Sequence, residues 1–207
     1  FIQTILRAQL NTRYLLIGDD FRFGKGRGGD FNLLAAQRDF ETERTPSILI
    51  AGERASSTAI RQALQLGDVA AANQMLGHPY TLSGHVKHGK KLGRTIGCPT
   101  ANVHLPLHRY SLSGVFVVRV KGSFGECAGV ASFGTNPTVS HTPEAKLEVH
   151  LFDFSGCLYG ERIQVTFLHK LRDEAKFDSI ADLQAQIAQD IETARAWYQA
   201  HRDAEAA

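Results

Sequence analysis

The sequence predicts an α+β protein in two parts. Three observations carry that expectation. Helical and strand-like stretches alternate up to about residue 50, the habit of an α/β layer, here cut off at its front. After Gly77 the chain turns to short alternating runs broken by Gly, Pro and Asn, as in an antiparallel barrel or sandwich. Near the end Ile180, Leu183, Ile187, Ile191, Ala194 and Trp197 recur at three- and four-residue steps, which predicts one amphipathic helix.

Taken in order, Ile2, Ile5, Leu6 and Leu10 have helical spacing and residues 14–17 form a short apolar run, so a helix and a strand open the chain. A glycine-rich basic loop over 18–29 leads to a predicted helix over 31–40 and a strand over 48–50. Ser56, Ser57 and Thr58 precede a helix with Ile60, Ala63 and Leu64 on one face, and Gly67 breaks it; Ser57 or Thr58 suits its cap. Asp68 caps a second helix over 69–76, and Gly77 stops it. The domain boundary is expected there, with 1–76 before it and 77–207 after it. Strands are expected over 80–86, 115–120, 128–133, 147–152 and 163–167. Ser179 with Asp182 reads as a capping box for the last helix.

Composition excludes several classes. Lys and Arg number 23 against 21 Asp and Glu, a net +2, too little for a nucleic-acid specialist. No apolar run approaches the roughly 18 residues a membrane-spanning helix needs. Cys98, Cys127 and Cys157 are scattered with no Cys-x-x-Cys, which argues against a disulfide framework or zinc site and for a reducing, cytoplasmic setting. The sequence opens at Phe1 with neither Met nor a secretory signal, and we read it as N-terminally incomplete.

Four stretches bear chemistry. Gly84, Gly89, Gly93 and Gly97 are interleaved with Lys87, Lys90, Lys91 and Arg94; bare backbone amides plus cations suit phosphates, although a solvated basic hairpin has the same pattern. Thr100 and Asn102 stand two apart on an extended segment, so they share a face, and their neutral oxygens suit Mg²⁺ held also by nucleotide phosphates; an ordinary turn after proline is the plainer alternative. In 147–154 alternation sets Glu148 and His150 opposite Leu147, Val149 and Leu151. If that face lines a barrel mouth, Glu148 is a candidate general base for an attacking hydroxyl; otherwise it faces solvent. Ser56, Ser57 and Thr58, with Arg61 one turn in, suit either an anion at a helix N-terminus or a plain cap.

In this order, these pieces resemble the bacterial bifunctional riboflavin kinase/FMN adenylyltransferase family, the FAD synthetases. The resemblance runs through Gly18-Asp-Asp-Phe-Arg-Phe-Gly24, Ser56-Ser-Thr-Ala-Ile-Arg61, Leu76-Gly-His-Pro-Tyr80, Gly93-Arg-Thr-Ile-Gly-Cys-Pro-Thr-Ala-Asn102, Phe133-Gly-Thr-Asn-Pro-Thr-Val139, Leu147-Glu-Val-His-Leu-Phe-Asp153 and Leu168-His-Lys-Leu-Arg-Asp-Glu-Ala-Lys-Phe177. It implies a remnant of a Rossmann-like α/β nucleotidyltransferase domain over 1–76. From 77 onward it implies a six-stranded antiparallel β-barrel closed by the C-terminal helix, the riboflavin kinase module. It further implies that Thr100 and Asn102 bind Mg²⁺ and ATP, that the glycine loop (Gly84, Gly89, Lys90, Gly93, Gly97) covers the nucleotide, and that Glu148 takes the proton of the ribityl 5′-hydroxyl. Arg172, Glu174 and Phe177 would lie near the flavin, and Ser56, Ser57, Thr58 and Arg61 would bind phosphates in an intact first domain.

The implied substrates are riboflavin, FMN and ATP, the products FMN and FAD, with no nucleic-acid or membrane partner. The family's His-x-Gly-His signature is absent from these residues, so we expect this chain by itself to make FAD poorly. Ala55, His78, Cys98 and Asn136 depart from the family's common residues without touching the proposed ligands or base. Two alternatives stay open: a flavin- or nucleotide-binding barrel without turnover, and a barrel for single-stranded nucleic acid.

Overall fold

The computed structural model describes residues 1–87, 100–106, 110–136 and 144–201. The chain forms two compact units, Phe1–Ala55 and Ser56–Ala207. In the first, Ile2–Gln9 coils as a π-type helix, Leu10 N–H reaching Ile5 O at 2.9 Å, a wider turn than the spacing predicts. Strand β1 (Tyr14–Gly18) pairs in parallel with β2 (Glu41–Thr45), and α1 (Phe31–Ala35) lies between them in the chain. The helix expected over 31–40 therefore ends early. Phe40 joins Leu6, Ile17 and Leu34 in the unit's core, and the polar β2 is held through its backbone. Strands β3 (Leu49–Ile50) and β4 (Glu53–Arg54) make a small hairpin whose turn, Ala51-Gly52, has positive φ at both positions.

The second unit opens with α2 (Ser57–Leu66) and α3 (Val69–Leu76). Ser56 caps α2, its Oγ accepting from Ala59 N–H at 3.2 Å; the cap is thus one residue earlier than expected. Asp68 caps α3 as predicted, accepting from Ala71 N–H at 2.9 Å, and left-handed Gly67 and Gly77 end the two helices. Ala63, Leu64, Val69 and Ala72 join the barrel's core. In space, then, residues 57–76 pack with the barrel in the second unit.

Six antiparallel strands form that barrel: β5 (Thr81–Lys87), β6 (Ala101–His104), β7 (Gly114–Gly122), β8 (Gly125–Asn136), β9 (Glu144–Leu151) and β10 (Arg162–Arg172). It closes in the order β10-β5-β6-β9-β8-β7. The alternation that predicts the strands fills the interior: Val86, Val103, Val118, Leu147, Val149, Ile163 and Val165 point inward. At its centre Phe116 and Phe133 meet Phe167 edge-to-face at 5.4 and 6.3 Å, all three fully buried.

Helix α4 (Ile180–His201) crosses the outside of the barrel. Val115, Val117 and Val130 on the outer wall make a second core with Phe152 and Ala194. Ser179 Oγ accepts from Asp182 N–H at 3.1 Å and donates to Asp182 Oδ2 at 2.6 Å, so half of the capping box is made and the carboxylate turns to the hydroxyl. Ile180 is 69% exposed and lies off the apolar face assigned to it.

Candidate active site

Because side chains alternate, residues between the inward ones stand on the outer wall. Strand register aligns them in one row: Lys87 opposite Asn102, Asn102 opposite Glu148, Glu148 opposite Ser132, Ser132 opposite Val115, and Val115 opposite Arg172. Part of this row forms the floor of a cavity of about 420 Å³ under α4. Glu148, Ser132, His150 and Thr100 bring polar groups to it, and Val115, Val130, Ala175, Phe177, Leu183 and Ile187 make it mostly apolar. A concave apolar slot with a few convergent polar groups is the usual form of a small-molecule site.

The structure thus brings Glu148, Thr100, Arg172, Glu174 and Phe177 around one cavity. Asn102 faces Glu148 across the β6–β9 pair. The sequence left the face of Glu148 open between a barrel mouth and solvent; it is the barrel's outer wall, because the interior is filled by the alternate residues Leu147 and Val149. Glu148 is ion-paired to Lys146 Nζ at 2.8 Å, and its side chain keeps 30% exposure.

Other predicted positions sit elsewhere. Gly84 lies within β5, where a Cβ would fall on the His104 carbonyl, so its bareness lets two strands approach. Ser57, Thr58 and Arg61 are exposed on α2, and Arg61 Nη1 bonds Ser57 O at 3.4 Å; none lines the Glu148 cavity. Gly89, Lys90, Gly93 and Gly97 lie outside the described residues.

Arg172 is anchored. Its Nε and Nη2 donate to Asp190 at 2.9 and 2.7 Å, its Nη1 to Asp173 O at 2.9 Å, and its guanidinium lies 5.8 Å from the Phe177 ring centre. Glu174 rests on Gly134, where a Cβ would collide with its carboxylate. Sequence reasoning missed Lys146, Ser132 and Asp190. The last left a signal, an acid inside the apolar stripe of Ile187, Ile191 and Ala194.

A family model described as riboflavin kinase matches residues 76–198, more than half of the chain. The chain belongs to the riboflavin kinase family. A second model, described as FAD synthetase, matches residues 1–59. Among curated relatives of this riboflavin kinase family member, a bifunctional riboflavin kinase/FMN adenylyltransferase of Haemophilus influenzae is 46% identical over 96% of this chain. Its counterpart in Escherichia coli K12 is 47% identical over 96%. The chain spans 65% and 64% of those two proteins. A crystal structure from Streptococcus pneumoniae, described as a macrolide-efflux protein, matches 95% of this chain and 64% of that one, with a TM-score of 0.75 at 36% identity. Among the described residues of the present chain no helix is long and apolar enough to cross a membrane.

Proposed function

We propose that this chain transfers the γ-phosphoryl group of ATP to the 5′-hydroxyl of riboflavin, giving FMN and ADP. The observation that carries the reading is the meeting of a carboxylate, Glu148, with an apolar, aromatic-walled slot in one cavity. The flavin ring takes the slot between Phe177, Leu183 and Ile187 on one side and Val115 and Val130 on the other. The ribityl chain then runs toward Glu148. Phosphoryl transfer asks the protein chiefly for positioning and for charge neutralisation. The hydroxyl oxygen forms the new bond to γ-phosphorus, the bond to the β-phosphate oxygen breaks, and the hydroxyl proton passes to the Glu148 carboxylate. Lys146 holds one oxygen of that carboxylate, Oε2, which leaves the other to receive the proton.

The donors fit Mg²⁺: Thr100 offers a hydroxyl and Asn102 an amide oxygen, neutral hard ligands beside Glu148 in the strand register. These two residues would hold the cation, which when bound neutralises phosphate charge. The kinase module runs from about residue 77 to the end of the chain, with α2 and α3 packed on it. Residues 1–59 belong in the whole protein to the part that adenylylates FMN to FAD. Free cysteines at 127 and 157 suit a cytoplasmic enzyme.

The test is to supply riboflavin and ATP-Mg and follow FMN by chromatography, beside the Glu148→Gln variant. The variant is expected to lose roughly 10²- to 10⁴-fold in kcat while still quenching riboflavin fluorescence. An unchanged kcat removes Glu148 from the chemistry. Riboflavin binding without any FMN in the native chain favours a carrier without turnover.

A further inference from the structure

We propose that Asp190 is a positioning residue for the flavin slot, acting through Arg172 to fix the 173–177 strap that walls it. This deepens the riboflavin kinase reading and rests on it. Asp190 is 6% exposed, the one buried charged residue among those described. Both its oxygens are taken: Oδ1 accepts from Arg172 Nε at 2.9 Å and Gln186 Nε2 at 3.0 Å, and Oδ2 from Arg172 Nη2 at 2.7 Å. The guanidinium meets the carboxylate bidentately through its Nε/Nη2 edge, and a planar fork of this kind sets an angle as well as a distance. Arg172 passes that orientation on, to the strap backbone through Asp173 O and to the face of Phe177.

A buried ion pair is a poor device for stability alone, since a well-packed apolar pair of similar volume often does as well. Here it joins α4, which supplies Leu183 and Ile187 to one wall, to the strap that supplies Ala175 and Phe177 to the same cavity. The contact therefore holds α4 and the strap together as one wall, the wall that faces Val115 and Val130. Thr100 lines the same cavity, but with Asn102, the proposed nucleotide side, it stands on β6 and its approach rather than on the strap or α4.

Asp190→Asn keeps the size and removes the charge; Asp190→Glu keeps the charge. Riboflavin affinity, by fluorescence quenching, and KM for riboflavin and for ATP are measured for both. Asp190→Asn is expected to weaken riboflavin roughly 10- to 100-fold in Kd and KM. Its kcat at saturation and KM for ATP should stay within about threefold of the native values, with partial recovery in Asp190→Glu. Gln186→Leu leaves the Arg172 fork in place and serves if Asp190→Asn does not fold; it should shift riboflavin affinity in the same direction by less. Unchanged riboflavin affinity, or an equal rise in both KM values, overturns the proposal. A native chain that binds riboflavin without phosphorylating it sinks the kinase reading instead, and the binding measurements still decide the role of Asp190.

Discussion

Replacing Gly84 by alanine separates two readings of that residue, phosphate cradle and strand crossing. Gly84 is buried in β5 opposite Ile163, and a Cβ there would fall on the His104 carbonyl and come within 2.9 Å of Val103 Cγ1. The first obstacle is backbone in the neighbouring strand, so β5 and β6 must separate. Forcing a methyl into a packed interior costs typically 1–3 kcal/mol, and a backbone collision belongs at about 3. The residue's φ is not in the left-handed region, so alanine is conformationally allowed there. Its stiffer unfolded chain offsets roughly 0.4–1 kcal/mol. The net loss is about 2 kcal/mol, and at roughly 2–4 °C per kcal/mol for a unit of this size Tm falls about 4–8 °C. Trp197 is the only tryptophan and belongs to the second core under α4, so its fluorescence reports melting of this unit alone. A Tm within about 1 °C of the native value, with weaker ATP binding, refutes the steric reasoning and returns Gly84 to the ligand.

Three further outcomes are expected. Burial, and behind it the charge of His201, holds the His169 imidazole below its usual 6.5. The unfolded chain then takes up the proton first, so stability is full above the unfolded value and is lost as pH falls from there toward the folded one. His169→Gln should flatten the fall of Tm between about pH 7 and 5, and equal slopes in the two proteins contradict this. Asp68→Ala removes the α3 cap and should cost about 1 kcal/mol, visible in the Trp197 melt because α3 packs on the barrel core; a melt unchanged by it places α3 outside the barrel's cooperative unit. Phe167→Leu should cost roughly 1–3 kcal/mol by urea denaturation, since the ring anchors Phe116 and Phe133; a smaller loss means the interior collapses around the gap.

Much of the second unit is legible in the sequence because its physics is local. Alternating Val, Ile, Leu and Phe declare five strands, and Asp68 with Gly77 declares the ends of α3. The sixth strand, Ala101–His104, is too short to show a period, and its residues declare no more than an extended segment. β2 was missed because Glu41, Glu43, Arg44 and Thr45 are all exposed and carry no apolar alternation. Alternation also placed Glu148 on the face away from Leu147, but a period of two cannot say what covers that face. That depends on α4, which packs across β7 and β8 from far along the chain. The partner of Asp190 was hidden for the same reason: Arg172 lies 18 residues earlier and on a strand.

The placement of the cavity has a consequence for synthesis of the chain. The wall bearing Glu148 and Ser132 is complete once β10 has emerged from the ribosome, but Leu183, Ile187 and Asp190 follow it in α4. A nascent polypeptide that has already closed its cylinder therefore has no such cavity, whose remaining wall arrives only when α4 is translated and laid across the outside.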